Sequence, residues 1–334
     1  MKAIVRTAPG GPEVLQLQDF PDPKISQDRE ILVRLKAAGV NPIDTKLRTR
    51  GTLYPDAAGP AVLGCDGAGI VEAVGAAVQN YQVGDEVYFC NAGLGAQTGN
   101  YAQFAVVDER FVAKKPASLS FAQAAAAPLV LITAWESLYD RGRLQAGQTA
   151  LIHAGAGGVG HVAVQLAKLQ GAEVYTTVGS EAKAEFVRRL GADKAILYKQ
   201  TDFVSAVLDL TSGEGVDLAF DTVGGETFAK TFPGVKIYGD LVTILSPDPA
   251  TNWKIARNRN LRISLELMLT PMVEGLVEAQ QDQAKILQQS ARLIDEGQLQ
   301  IQLCETFPLA EAAAAHRLLG SGTMTGGKIA LLID

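Results

Sequence analysis

Excess positive charge, paired cysteines and uninterrupted apolar runs are all missing from this 334-residue chain, and each absence narrows what it can be. Thirty Lys and Arg stand against 36 Asp and Glu, a formal net charge of −6. That leaves no basic footprint for a nucleic acid or an anionic membrane, so neither is expected as a partner. The three cysteines, Cys65, Cys90 and Cys304, are widely spaced with no C-x-x-C pair. This argues against a disulfide framework and for a reducing compartment, the cytoplasm. The opening MKAIVRTAPG has no apolar core of signal-peptide length before charge and proline intervene. Residues 116–135 carry no charge over the length of a membrane span. Pro116, Pro128, Ser118, Ser120, Gln123 and the alanines at 124–127 keep that stretch only modestly hydrophobic. It is expected as a buried helix at a domain junction of a soluble protein. No internal repeat or low-complexity linker is present.

What the chain does have is enough apolar material for two cores: 47% hydrophobic residues with 20% charged. Up to about residue 115 the pattern is short strands at 2–6, 15–18, 31–38, 68–74, 86–89 and 101–107, punctuated by glycine and proline, with no long amphipathic helix. This predicts a small, mostly β, barrel-like domain. The rhythm then changes to strand–helix alternation, with strands expected at 149–153, 173–177, 195–198, 216–221, 238–245 and 261–265. Six strands joined by helical crossovers predict an α/β fold built on a doubly wound parallel sheet. A helix at 278–296, a strand near 300–305, a helix at 309–319 and a strand at 328–333 complete the chain. The domains are expected to be 1–126 together with 268–334, and 127–267.

The second domain opens on its most informative stretch. Ala150, Leu151, Ile152 and His153 suit a buried strand, and Gly155-Ala156-Gly157-Gly158-Val159-Gly160 follows with the spacing G-x-G-x-x-G. Val159, Val162, Leu166 and Leu169 then recur at helical intervals up to Gly171. One glycine allows the tight turn, one lets backbone N–H groups approach a pyrophosphate, and one lets the helix lie close on the strand. The resulting helix N-terminus suits a diphosphate. A dinucleotide-binding turn is expected.

Strand-rich domain, nucleotide domain and return segment, in that order, resemble the medium-chain dehydrogenase/reductase superfamily over essentially the whole chain. Gly64-Cys65-Asp66-Gly67-Ala68-Gly69, with Val71, Gly75 and Val78, resembles its G-H-E-x-x-G-x-x-x-x-x-G-x-x-V signature with two substitutions, and Gly84-Asp85-Glu86-Val87 its G-D-x-V turn. The turn at 155–160 is similar to the A-x-x-G-G-V-G form of quinone reductases. Asn41-Pro42-Ile43-Asp44-Thr45-Lys46 resembles the N-P-x-D-x-K segment of alkenal/enone oxidoreductases in the zeta-crystallin-like branch. The resemblance implies a Rossmann domain beside a GroES-like mostly β catalytic domain, and a homodimer pairing along the strand at 261–265.

The same comparison implies that no metal is bound. Zinc-dependent members use Cys and His ligands, sometimes with Glu. Here the corresponding positions hold Asn41, Cys65-Asp66 and a third near Leu129, and residues 93–100 contain no cysteine. Cys65 and Asp66 are read instead as a small buried thiol beside a hydrogen-bonded carboxylate. His153, His161 and His316 are assigned structural roles.

NAD-preferring folds place an acid about 20 residues past the glycine turn. Here the second strand ends Val178-Gly179-Ser180, and no acid comes before Glu181. Ser180 and Lys183 can serve a 2′-phosphate, and Tyr198 corresponds by resemblance to a tyrosine that contacts it. This constellation favours NADPH, with Glu181 on a ribose as the alternative. A C-terminal arginine of quinone reductases is replaced by Gly322, with Lys328 nearby. Thr133 is placed near the cofactor by resemblance.

A hydride carrier without a Lewis acid suits reduction of an already electron-poor carbon, as in a quinone or an enone. Lys46 and Tyr54 are the candidates to donate hydrogen bonds to the developing oxyanion, and Asn41 to hold the nicotinamide or the carbonyl. Lys46 is alternatively a phosphate or surface lysine, and Tyr54 a pocket-lining aromatic. Asp44, after Pro42, is a candidate helix cap. The expected function is an NADPH-dependent, zinc-independent reductase of small quinones or α,β-unsaturated carbonyls. The alternatives are a non-catalytic NADPH-binding sensor or structural protein, and a zinc-lacking alcohol-dehydrogenase-like reductase of other carbonyls. RNA binding of the zeta-crystallin kind fits poorly with the acidic balance.

Overall fold

The computed structural model describes residues 1–54, 59–96 and 98–334, and the counts below refer to these. The chain divides into two compact units, Met1–Leu129 with Leu269–Asp334, and Val130–Met268.

The first unit contains β1 (Lys2–Arg6), β2 (Leu15–Asp19), β3 (Glu30–Val40), β4 (Ala61–Val62), β5 (Asp66–Val74), β6 (Glu86–Cys90), β7 (Phe104–Asp108) and β8 (Ala113–Lys114). In β3 alternate residues Ile31, Val33 and Leu35 are buried, the period-two pattern of a strand with one face on the core. Two register shifts along the β3–β5 pairing bend the sheet. Gly69 lies in that bend, where a Cβ would come 2.2 Å from the Arg34 carbonyl oxygen. The second unit supplies β9 (Thr149–Ile152), β10 (Glu173–Val178), β11 (Lys194–Leu197), β12 (Val216–Asp221), β13 (Val235–Thr243) and β14 (Arg262–Leu265). The chain then returns to the first unit with β15 (Leu303–Pro308) and β16 (Lys328–Leu332). There β15-β16-β3-β5-β6-β8 form one sheet, with β7 also pairing on β3, and β2-β1-β4 form a second.

In the second unit all strand pairs are parallel, in the order β11-β10-β9-β12-β13-β14. This is the doubly wound Rossmann arrangement, and its strand order reverses between β9 and β12. The strands are near-continuous apolar runs because both faces are covered. Leu151, Tyr175, Val216, Ala219 and Leu241 pack there with Phe203, Phe228 and Phe232.

Three details refine or depart from expectation. The helix for which Asp44 was a candidate cap runs Pro42–Arg50, and its N-cap is Asn41. Asp44 lies inside its first turn, where the carboxylate accepts the Asn41 backbone N–H at 2.8 Å. The uncharged stretch forms two short helices, Phe121–Ala125 and Pro128–Trp135, not one. A capping box between Ser120 and Gln123 starts the first, and Pro128 begins the second. β13 starts at Val235 because four residues loop out between its pairings Val216↔Val235 and Leu218↔Asp240. Tyr238 sits in that bulge at φ 64°. Among the described residues no helix is long and apolar enough to cross a membrane.

Candidate active site

Two sets of residues are the candidates for the chemistry, one in each unit. In the second unit β9 runs up the middle of the sheet into the glycine turn. Ala154 takes a left-handed φ of 51°, and its N–H donates to Thr177 Oγ1 at 3.1 Å. Gly157 N–H donates back to the Ala154 carbonyl at 2.8 Å, closing the turn. A Cβ on Gly155 would stand 2.0 Å from Thr176 Oγ1, and one on Gly160 2.2 Å from the Ala154 carbonyl oxygen. Those two positions therefore lock the turn against β10 and the helix against β9. Gly157 is different: a Cβ there would meet only the Ala154 oxygen, at 3.1 Å. It is the N-cap of the helix Gly158–Leu169 and makes no side-chain cap. The first-turn N–H groups of Gly158, Val159 and Gly160 thus form an uncapped, partially positive cradle with Ala156 buried beneath.

At the end of β10, Ser180 caps the helix Glu181–Arg189, accepting the Lys183 N–H. The half-exposed Tyr198 turns its hydroxyl over Gly179, where a Cβ would lie 3.1 Å from it. Ser180 and Tyr198 therefore flank one strand tip. Glu181 is ion-paired to Arg188 at 2.8 Å, and Lys183 forms no ion pair among the described residues. Thr133 is buried in the helix Pro128–Trp135. His153 bridges Thr177 Oγ1 at 3.1 Å and Thr231 Oγ1 at 2.9 Å. Burial lowers its pKa to about 4, with Asp221 opposing, so it is neutral and holds β9 to its neighbours.

In the first unit the site is made where strands end. β3 pairs with β5 so that Gly39 faces Asp66, with β16 so that Val40 faces Ile329, and β5 pairs with β6 so that Asp66 faces Cys90. One residue further along, Asn41 and Lys328 meet. Asn41 Nδ2 donates to Asp66 Oδ2 at 2.9 Å, and the Leu129 N–H donates to Asp66 Oδ1 at 2.9 Å. The Lys328 ammonium donates to Asn41 Oδ1 and, at 3.2 Å, to the Val40 carbonyl. Asp44 accepts the Tyr101 hydroxyl at 2.9 Å and faces the Cys65 thiol at 3.9 Å. Asn41, Asp44, Cys65 and Asp66 are fully buried.

Behind Asp44 runs a directed chain of hydrogen bonds. Arg48 can only donate, so His316 Nδ1 accepts from it at 3.3 Å. The proton of neutral His316 then sits on Nε2 and is donated to the Tyr101 oxygen at 3.2 Å, while Tyr101 donates to Asp44. Burial and the neighbouring Arg48 lower the His316 pKa to about 3. Burial raises Asp44 to about 7, against the bonds from Asn41 and Tyr101. It raises Asp66 as well, with Lys328 opposing, and pushes the Cys65 and Cys90 thiols well up. Neither thiol is a nucleophile in this setting.

Lys46 lies exposed on the helix Pro42–Arg50. Tyr54 is half-buried, on a loop fixed by Leu53 N–H to the Leu94 carbonyl and Tyr54 N–H to Thr52 Oγ1. Burial, then Cys65, raises its phenol pKa. Sequence reasoning did not find Tyr101, Arg48 or Cys90 and gave His316 only a generic structural role. Lys328, noted near the place of the missing C-terminal arginine, is buried with its ammonium engaged by Val40 and Asn41. It is not available to a phosphate. A lysine opening the apolar run KIALL was the one signal in the sequence.

Residues 27–117 match the alcohol dehydrogenase GroES-like domain family, and residues 190–331 the family described as zinc-binding dehydrogenase. The zinc in that second description finds no fit here. Lys328 places an ammonium beside Asn41 and Asp66, and among the described residues no group of three or more His, Cys, Asp and Glu could hold a metal ion. The chain is 35% identical to the quinone oxidoreductase of Pseudomonas aeruginosa over 99% of both chains. It is 34% identical to a 2-haloacrylate reductase of a Burkholderia species, over 91% of this chain and 90% of the relative. The crystal structure of Escherichia coli quinone oxidoreductase complexed with NADPH superposes over all of both chains with a TM-score of 0.87 at 30% identity. With its Rossmann sheet, its GroES-like unit and full-length relatives of this kind, the chain belongs to the medium-chain dehydrogenase/reductase superfamily and stands among the quinone oxidoreductases.

Proposed function

We propose that the protein is an NADPH-dependent reductase that passes a hydride to quinones or α,β-unsaturated carbonyl compounds without a metal ion. The observation that carries this reading is the end of β10. It offers a serine hydroxyl, a tyrosine hydroxyl and Lys183, while the nearest acid, Glu181, is bound to Arg188. That is a setting for a 2′-phosphate and a poor one for a ribose hydroxyl pair. The uncapped N-terminus at Gly157 supports the diphosphate. The names of the relatives, quinone oxidoreductase and 2-haloacrylate reductase, support an electron-poor acceptor.

When bound, NADPH supplies the hydride. The glycine turn holds its diphosphate; Ser180, Lys183 and Tyr198 hold its 2′-phosphate; Thr133 lines the nicotinamide side. Lys46 and Tyr54 donate hydrogen bonds to the acceptor oxygen as negative charge develops there, and Asn41, its carboxamide held by Asp66 and Lys328, fixes the start of the helix that carries Lys46. The protein acts in the cytoplasm, where its three free thiols stay reduced. It forms a homodimer along β14, whose Leu265 is 61% exposed. Stopped-flow oxidation of NADPH and NADH against a panel of 1,4-quinones, enals and simple ketones tests the proposal. Turnover of quinones or enals with NADPH preferred is expected. NADPH binding with no turnover of any acceptor would point to a non-catalytic protein, and turnover of ketones alone to a different carbonyl reductase.

A further inference from the structure

The polar cluster of the first unit holds two carboxyls, Asp44 and Asp66, both fully buried, and one buried ammonium, Lys328. Among the described residues no other ammonium or guanidinium bonds to either carboxyl. The β3–β16 register carries Lys328 to Asn41, and the β3–β5 and β5–β6 registers bring Asp66 and Cys90 to the same point. Asn41, Cys65-Asp66 and Leu129 are the positions that resemble the ligand positions of zinc-dependent relatives. We propose that the Lys328 ammonium is the resident cation of this place. It fixes the Asn41 carboxamide and the first turn of the helix that carries Lys46, and it excludes a divalent ion.

Three observations carry this. The ammonium bonds Asn41 Oδ1 and the Val40 carbonyl, so it grips the last residue of β3 and the N-cap of the helix together. The other end of the Asn41 carboxamide is held by Asp66, which fixes its orientation from both sides. A divalent ion taken up by Cys65 and Asp66 would have to sit beside a buried positive charge, and like charges repel strongly where water is excluded. Lys328 is thus a positioning residue, acting through Asn41.

The test is a double-mutant cycle followed by thermal unfolding at mildly alkaline pH, with cobalt binding as a second readout. Lys328→Met leaves two buried carboxyls without a cation, and Asp44→Asn removes one of them while keeping an oxygen for Asn41 and Tyr101. Asp44→Asn is expected to raise the melting temperature several degrees more in the Lys328→Met background than in the parent protein. Equal shifts in the two backgrounds would overturn the proposal, because a lysine that merely fills space does not couple to a charge. Should Lys328→Met fail to fold, recovery of folded protein by Asp44→Asn is the expected result. Failure of the double variant while Asp44→Asn alone folds would contradict it. The parent protein titrated with Co2+ is expected to show no thiolate-to-cobalt charge-transfer band. A stoichiometric band that disappears in Cys65→Ser would also overturn the proposal. Neither readout involves NADPH or an acceptor, so the outcome is separate from that of the proposed function.

Discussion

The glycine turn of the second unit and the polar cluster of the first are both built at strand ends, yet they hold charge by opposite means. The turn uses backbone. Its donors are N–H groups of consecutive residues, and the side chains that matter are the missing ones at Gly155 and Gly160. The cluster uses side chains brought from positions 41, 44, 65, 66, 90, 101, 316 and 328, tied to one another and fully or largely buried. A backbone site can stay open to a ligand because no side chain fills it. A side-chain cluster of this kind is already satisfied, so its task is to hold its own shape. The contrast suits the first to a cofactor phosphate and the second to fixing the start of the helix that carries Lys46.

The sharpest way to break this contrast is at the turn itself. Gly160→Val would drive a side chain into the Ala154 carbonyl oxygen, 2.2 Å from the added Cβ. Neither backbone segment can withdraw, so the cost falls at or above the upper end of the ~1–3 kcal/mol overpacking range. Loss of NADPH affinity and a lower denaturant midpoint are expected together. Gly157→Ala has room by comparison and should fold normally while binding NADPH more weakly. On the other side, Lys46→Ala or Tyr54→Phe should lower kcat/KM about 10²-fold, the usual cost of one donor to a developing oxyanion. Cofactor affinity, read by fluorescence titration, should stay within about twofold.

Tyr101→Phe removes the donor to Asp44 and the acceptor for His316 at once. About 2 kcal/mol of stability should be lost, measured by urea unfolding, with NADPH affinity unchanged. Lys183→Ala is the mirror case. It should weaken NADPH about tenfold, near 1.4 kcal/mol, leaving NADH affinity and stability as they were. If Lys183→Ala weakened both nucleotides equally, the assignment of the β10 tip to a 2′-phosphate would fail.

Least visible near neutral pH is a dependence on pH that both units share. His153 and His316 are held down to about 4 and about 3 by burial, below their ordinary value of 6.5. The folded state refuses protons that the unfolded chain accepts, so their contribution to stability rises with pH up to about 6.5 and is flat above it. Asp44, held up to about 7, works the other way: its contribution falls as pH rises from its ordinary value through about 7. The comparison of parent with His316→Gln isolates the first effect. The variant should show a shallower rise on the acid side, by at most about 1.4 kcal/mol per pH unit.

How much of this was legible in the chain follows the same divide. The glycine turn could be read because a strand, a turn and a helix adjacent in sequence carry all its parts, and because glycine spacing reports a steric need directly. The doubly wound sheet could be read because strands buried on both faces are apolar without a break. Of the helix Pro42–Arg50 only the start was legible, from Pro42 and Asp44, with the cap placed at Asp44 and not at Asn41. Its exposed face is polar and its length is 9 residues, too little for a periodic signal. Tyr101, Arg48 and Cys90 escaped notice because the residues they face, Asp44, His316 and Asp66, are far away in sequence. Lys328 was noticed but left without a role, because no local pattern says that a lysine at the head of a buried strand will face an asparagine 287 positions earlier.

The central claim is hydride transfer from NADPH to an electron-poor acceptor by a site that has a lysine where a metal would be sought. Its most direct test is pre-steady-state NADPH oxidation with a 1,4-quinone, using protein dialysed against a strong chelator and assayed for zinc. The account predicts an undiminished rate in protein holding far less than one zinc per chain. A rate abolished by chelation and restored by one equivalent of zinc would contradict it.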